Sequence, residues 1–345
     1  MPVSIVVGGQ YGSEGKGKVA HALAKEMGAS VAVRVGGPNS GHTVITPSGI
    51  AVIFKHLPTA AILPDVTCLL AAGCYINPDI LLEEIKVAGI DDRRLIIDPN
   101  AAVITDIELA AERESHLREK IGSTLSGTGA AVAKRIQRDG NLKLAKDDPR
   151  LAPYIQPAVP FMRARLSKRE RVIIEGTQGF GLSLLHSQHY PYATSRDTTA
   201  AGFLSEAGLG PLDVDDVVMV LRAFPIRVPG NSGPLSGEID WEVVTRESGK
   251  ESNLVELTSV TRTVRRVARF EPEIVRQSIA VNNPSRIVLN HLDYVDANCA
   301  VSNSLTEHAA RFVQAVETSV GREIGYFGFS PNSLTAKKSL KQQAA

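Results

Sequence analysis

The stretch VSIVVGGQYGSEGKGK, residues 3–18, decides the fold. Val3 to Val7 are rich in β-branched residues and run into Gly8-Gly9, which reads as a buried strand delivering the chain to a glycine-rich turn. Glycines at 9, 12, 15 and 17 let backbone N–H groups approach an anion closely. A helix predicted from about Lys18 to Met27 points its positive end at the same place, and Lys16 and Lys18 add full charges. Together these features suit the holding of phosphates. The turn is not a Walker A sequence, because five residues separate Gly9 from Gly15 and Gly17 stands where that motif needs Ser or Thr. Taken alone, the segment also fits a plain glycine-rich connection with two solvated lysines.

Outward from this unit, short apolar runs at 31–35, 68–73, 94–98, 171–176, 216–224 and 286–293 have the length of buried strands. Helical patterns at 79–88, 106–120 and 271–281 alternate with them, which predicts an α/β fold with a mostly parallel central sheet flanked by helices. Glycine- and proline-rich loops follow several strands, at 36–41, 122–129, 176–181, 208–211 and 229–234. In open α/β sheets ligands bind outside the carboxyl ends of the strands, so these loops are where chemistry is expected. No repeat or linker divides the chain. Residues 1–334 read as one catalytic domain and 335–345 as a polar, disordered tail.

Composition narrows the function. The 345 residues carry 38 Lys+Arg against 37 Asp+Glu, a net charge of +1, which argues against a nucleic acid polymer as partner. Cys68, Cys74 and Cys299 have neither disulfide nor metal-ligand spacing and suit a reducing cytoplasm. No run approaches the length of a membrane span, and no basic segment precedes the N-terminal apolar run.

A second loop, GGPNSGHT at 36–43, follows the strand at 31–35 and brings an imidazole suited to proton donation near neutral pH. A lone His in a tight turn is more often merely packed. The two loops together, however, resemble those of the adenylosuccinate synthetase family. The resemblance continues through IGSTLSGTGAAVAKRIQRDG (121–140), EGTQGFGLSLLHSQHYPYATSRDTTAAGFLSEAGLGP (175–211), RVPGNSGPLSGEI (227–239) and LNHLDYVD (289–296). Ordered matches over this span are far more specific than any single glycine-rich loop.

That family phosphorylates O6 of a 6-oxopurine nucleotide from a nucleoside triphosphate and then displaces the phosphate with the amino group of L-aspartate. The resemblance implies that Lys16 steadies the γ-phosphate, that His42 assists transfer to O6, and that the Gly41 carbonyl and residue 13 hold Mg²⁺. It places Asn39, Thr124, Gln178, Thr194 and Val228 around the nucleotide, with Arg138 reaching the 5′-phosphate across a homodimer interface. It extends the nucleotide site to Gly12, Ser13, Glu14, Gly15, Gly17, Lys18, Thr43, Ser123, Asn290, Asp293, Gly328 and Ser330, and counts Ser13 and Gln178 with Lys16 and His42 as catalytic.

Ser13 departs from the family pattern GDEGKGK, in which the Asp takes the purine N1 proton and ligates Mg²⁺. A serine hydroxyl is a poor base and a weaker metal ligand. The phage-type 2-aminoadenylosuccinate synthetases of the diaminopurine pathway are a branch with serine here, acting on dGMP, whose C2 amino group needs the space and an acceptor. Glu14 or a metal-bound water is then left to take the N1 proton. The guanine-reading pattern TKLD is NHLD at 290–293, with His291 in place of Lys, and the pattern STGPDR is GFSPNS at 328–333. These losses favour ATP or dATP over GTP. The stretch SVTRTVRRVARF (259–270) aligns with the aspartate-gripping loop, giving Thr261, Arg262, Thr263, Arg265 and Arg266 as candidates, since guanidinium forks suit carboxylates. The rival reading is a solvated helical stripe, because Arg262, Arg265, Arg266 and Arg269 fall at i, i+3, i+4 and i+7. The expected activity is a C–N ligase making 2-amino-2′-deoxy-N6-succinyladenylate from dGMP. The alternatives are an ordinary adenylosuccinate synthetase using IMP and GTP, and a non-catalytic nucleotide-binding protein.

Overall fold

The computed structural model describes residues 2–138, 140–258 and 262–343. In chain order the main sheet comprises β1 (Val3–Gly8), β2 (Val31–Arg34), β3 (Thr67–Leu70), β4 (Leu95–Ile97), β5 (Val172–Glu175), β6 (Val214–Arg222), β7 (Arg286–Asn290), β8 (Tyr326–Phe327) and β9 (Thr335–Ala336). Their spatial order is β9-β8-β7-β6-β1-β5-β2-β3-β4. Every pairing is parallel except β8 with β9. The strand predicted at the decisive stretch therefore lies near the middle, and the six other predicted runs flank it.

Burial on both faces explains why these strands are near-continuous apolar runs. Val3, Ile5 and Val7 of β1 join Val31, Val33, Val172, Ile174, Met219 and Leu221 in one core layer. Val6 turns the other way with Ala32, Ile173, Val218 and Val220, against Val19, Ala20 and Leu23 of α1 (Lys16–Glu26). This period-2 partition fixes the register, because a one-residue slip would exchange the two layers.

Two expectations are corrected. The pattern at 106–120 is two helices, Asp106–Glu114 and Leu117–Ile121, separated at His116, whose φ of 54° no α-helix tolerates. Residues 335–343 are not an irregular tail: β9 pairs with β8 and the helix Lys337–Gln343 follows, with Lys337 bound to Glu317 and Glu323. Two residues of strand and about two turns of polar helix carry too little periodicity to be seen in sequence. Among the described residues no helix is long and apolar enough to cross a membrane.

Candidate active site

Because β1, β2, β5, β6 and β7 are parallel, their carboxyl ends share one edge of the sheet, and the loops leaving them enclose a cavity of about 960 Å³. The turn after β1 forms its floor. Gly15 has φ of 91° and leads straight into α1, whose first turn has no side-chain cap, so its N–H groups remain for an anion. A Cβ at Gly15 would sit 2.7 Å from Asn290 Nδ2, and one at Gly17 would sit 2.8 Å from His42 Cβ. The glycines thus serve close packing of the turn against β7 and the second loop as well as anion approach.

Glu14 holds the turn from inside. Its Oε1 accepts from the Gln10 and Gly12 N–H groups at 3.2 and 2.8 Å, and its Oε2 from Lys16 Nζ at 2.7 Å. Both Glu14 and Lys16 are buried. Glu14 is fully buried and lies outside the cavity lining, so its carboxylate braces the turn from within. Asn290 acts likewise: it is fully buried, donates from Nδ2 to the Glu14 carbonyl at 2.7 Å and does not line the cavity.

His42 lines the cavity with a buried network behind it. Its Nδ1 lies 2.6 Å from Glu175 Oε1, which fixes the proton on Nδ1 and leaves Nε2 for a ligand. Arg34 Nη1 donates to the same Glu175 oxygen at 2.7 Å and touches the His42 ring nitrogen. Glu175 Oε2 accepts from Thr59 N and Oγ1 at 2.8 and 2.7 Å. Burial, with Arg34 adding to it, pushes His42 down to about 3, so the ring is neutral. Burial works to raise Glu175, yet its bond to His42 and the charge of Arg34 hold it at about 2.

At the third side of the cavity Arg265 Nη1 donates to Ser13 Oγ at 2.5 Å. The Ser13 carbonyl accepts from Arg222 Nη1 at 3.0 Å, and Arg222, fully buried, pairs with Glu256 at 2.5 Å. Glu256 stays ionised: burial would raise it, but Arg222 foremost holds it at about 2. Gln10 braces Arg222 through both its backbone groups, at 2.9 and 3.2 Å. The resulting positive end, with Arg262 and Thr263 also lining the cavity, suits a dicarboxylate.

The wall that continues past Tyr294 holds Lys18, Lys250, His291, Asp293 and Ser330. Lys18 Nζ donates to the Ser330 carbonyl at 3.0 Å, and burial lowers its ammonium to about 8 although Asp293 opposes the shift. Lys250 Nζ donates to Asp293 Oδ2 at 2.6 Å.

Of the residues expected from sequence, the structure brings to the cavity Gly12, Ser13, Gly15, Lys16, Gly17, Lys18, Asn39, Gly41, His42, Thr43, Ser123, Thr124, Gln178, Thr194, Val228, Arg262, Thr263, Arg265, Asp293 and Ser330. Asn39 Nδ2 donates to Thr194 Oγ1 at 3.2 Å, while its buried Oδ1 has no hydrogen-bond partner among the described residues. Glu14, Asn290 and Gly328 stand outside the lining, and Gly328 packs against Asn290 and Lys18. Arg266 is corrected as an aspartate ligand: its guanidinium is spent bidentately on Glu238 at 2.7 and 2.6 Å. The helical-stripe reading also falls, since Arg266–Ala268 is a strand and Arg262 has φ of 55°. Arg138 is an exposed residue after the helix Thr128–Gln137, away from the cavity of its own chain. Thr261 lies outside the described residues. Sequence reasoning missed Arg34, Glu175, Arg222, Lys250 and Glu256. Glu175 and Arg222 close strands, a position that could have flagged them, whereas Lys250 and Glu256 belong to no pattern.

Among the described residues there is no cluster of three or more His, Cys, Asp or Glu side chains able to hold a metal. The Ser13 hydroxyl and Gly41 carbonyl are neutral oxygen donors beside the turn, which fits Mg²⁺ only when nucleotide phosphates supply the negative charge. Such an ion would neutralise phosphate charge. Ligation by Ser13 requires the Arg265 guanidinium to leave its hydroxyl, because a cation and a guanidinium repel.

An anion-binding turn, a buried His–carboxylate pair and an arginine-rich end, all at the carboxyl edge of one parallel sheet, define a nucleotide-dependent ligase site. The family model of adenylosuccinate synthetase matches residues 5–147 and 142–302, and the adenylosuccinate synthetase of Archaeoglobus fulgidus is 35% identical over 325 residues, 93% of each chain. The chain therefore belongs to the adenylosuccinate synthetase family, whose members are C–N bond-forming ligases. Its fold is that of the fully ligated Plasmodium falciparum adenylosuccinate synthetase, with a TM-score of 0.83 at 21% identity over 98% of this chain and 100% of that one. It is also similar to the cyanophage S-2L succinoaminodeoxyadenylate synthetase bound to dGMP and dATP as an energy donor, with a TM-score of 0.82 at 28% identity over 99% and 97% of the two chains.

Proposed function

We propose that this ligase joins dGMP to L-aspartate at the expense of ATP or dATP, giving 2-amino-2′-deoxy-N6-succinyladenylate. The observation that carries the reading is the bond between Ser13 Oγ and Arg265 at 2.5 Å. A carboxylate at position 13 would form an ion pair there. Serine leaves a short neutral group whose second lone pair can accept from the guanine C2 amino group, and it leaves the Arg265 charge for the substrate carboxylate. The cyanophage synthetase solved with dGMP and dATP supports this choice of partners.

In this reaction the γ-phosphoryl group passes to O6 of the purine, the nucleoside diphosphate leaves and the N1 proton is lost. The amine of aspartate then attacks C6, and phosphate departs with O6. Lys16 and the N-terminus of α1 hold the phosphates, and Asn39, Thr194 and Gln178 orient the acceptor nucleotide. Incoming phosphates favour the His42 imidazolium, for which Glu175 is the counter-ion, so that Nε2–H donates to O6 as charge develops there. Mg²⁺ supports charge neutralisation. Arg138 lies at the surface, where it completes the 5′-phosphate site of a second subunit in a homodimer, and the reaction belongs to the cytoplasm. Phosphate release in the presence of L-aspartate and Mg²⁺, crossing dGMP with IMP and ATP with GTP, tests the reading. Turnover with dGMP and ATP is expected, and turnover with IMP alone overturns it.

The second reading, an ordinary adenylosuccinate synthetase using IMP, is favoured by the Archaeoglobus fulgidus relative of that name, 35% identical over nearly the whole chain.

A further inference from the structure

Asp293 and Lys250 form an ion pair in the cavity wall, near Lys18 and separated from the Arg222–Glu256 pair by Tyr294. Lys250 Nζ donates to Asp293 Oδ2 at 2.6 Å and lies 4.8 Å from the centroid of the Tyr294 ring. The Lys250 side chain is 22% exposed and that of Asp293 9%, so the pair is largely withdrawn from water. Beside it, the buried His291 Nδ1 has no hydrogen-bond partner among the described residues, and burial pushes that imidazole well below its ordinary value, so it carries no charge. Lys250 comes from the loop after the helix Trp241–Ser248, and Asp293 from the turn after β7.

We infer that Lys250 sets the base preference of the phosphate donor by converting the Asp293 carboxylate from a two-acceptor edge into a paired donor and acceptor. The inference rests on the proposed function and on the resemblance of NHLD at 290–293 to the family's base-reading pattern, which puts the base of the phosphate donor at Asp293. Guanine presents N1–H and the C2 amino group side by side, and both need carboxylate oxygens. With Lys250 on Oδ2, one of those donors meets an ammonium group, and a buried donor facing a cation is left unpaired. Adenine presents an amino group beside the N1 lone pair, which match Asp293 Oδ1 and Lys250 Nζ. A site built from one donor and one acceptor rejects the base with two donors because its polar groups go unsatisfied. Lys250 is therefore a specificity residue outside the phosphate chemistry.

The test compares kcat/KM for ATP and GTP in wild type, Lys250→Met and Lys250→Gln, with both dGMP and IMP as acceptors so that turnover with either suffices. Calorimetric binding of ATP and GTP to the same proteins gives a readout independent of turnover, and the glutamine variant keeps a polar group should methionine disturb folding. The expected result is a wild type that prefers ATP and an ATP/GTP ratio that falls on the order of tenfold in the variants. A wild type that prefers ATP with a ratio that changes less than about threefold overturns the role of Lys250 and leaves the donor assignment standing. A wild type that prefers GTP overturns the donor assignment and this inference with it.

Discussion

Arg265 Nη1 donates to Ser13 Oγ at 2.5 Å, joining the position that departs from the family turn to the loop expected to grip aspartate. Under the proposed function, this one contact couples acceptor specificity to aspartate binding. Replacing Ser13 with Asp converts it into an ion pair next to Arg222 and Glu256. Ser13→Asp is expected to lower kcat/KM for dGMP at least tenfold and to raise the KM for L-aspartate, because the guanidinium is then held by the protein. Steady-state kinetics with dGMP check both, and unchanged values for both remove the argument from Ser13.

The adjacent arginines separate by role. Arg265→Ala is expected to raise the KM for L-aspartate by about 10- to 100-fold, the loss of one charge-assisted pair. Arg266→Ala removes the half-exposed pair with Glu238 and the Nη1 bonds to Ser232 Oγ and the Gly233 carbonyl, and is expected to cost about 1–2 kcal/mol in denaturant unfolding with little change in that KM. Equal effects of the two on the aspartate KM contradict the placement of their side chains.

Glu175 acts through His42. In Glu175→Gln the carboxylate that accepts from His42 Nδ1 and Arg34 is gone, and the imidazolium loses its counter-ion. A fall in kcat on the order of 100-fold is expected, with the KM for the acceptor nucleotide changing much less. A fall confined to KM would assign Glu175 to binding instead.

Lys16 and Glu14 form a buried pair in the phosphate turn. Lys16→Ala leaves the Glu14 carboxylate buried without its cation, and a loss of about 3–5 kcal/mol in unfolding free energy is expected together with loss of phosphate release. A variant as stable as wild type would show that the backbone N–H bonds alone suffice for Glu14.

Acid sensitivity has a definite sign. His42 and His56 are buried and pushed down to about 3, chiefly by burial, and His56 Nε2 accepts from the Asn77 N–H at 3.1 Å. Unfolded, each titrates near 6.5, so below that pH the unfolded chain binds protons that the folded one refuses. Their contribution is fully present above 6.5 and is lost as pH falls towards 3, at about 1.4 kcal/mol per pH unit for each. Denaturant melts from pH 7 to 4 should show this slope, to which His291, lowered by burial, adds in the same direction, reduced by about 1.4 kcal/mol per pH unit in His56→Gln. A slope unaltered by that substitution contradicts the neutral, buried His56.

The sheet was legible because its strands are buried on both faces and stand out as apolar runs. Val3–Gly8 and Val214–Arg222 needed no tertiary information. The pair Tyr326–Phe327 and Thr335–Ala336 was not legible, since two residues carry no period. At the site, glycine spacing and resemblance found the turn, His42 and Arg265. They misjudged Arg266, because sequence gives the kind of side chain and not the partner that claims it. Lys250 and Glu256 were invisible for the complementary reason: isolated charges in an irregular segment take their meaning only from what folds against them.

The central claim is that Ser13 marks a change of acceptor from IMP to dGMP. The most direct measurement supplies purified protein with equal concentrations of the two nucleotides, together with ATP, Mg²⁺ and L-aspartate, and quantifies both succinylated products by mass in a single mixture. Predominance of 2-amino-2′-deoxy-N6-succinyladenylate is the predicted result. Predominance of adenylosuccinate contradicts the account and makes Ser13 a tolerated variation in an ordinary synthetase.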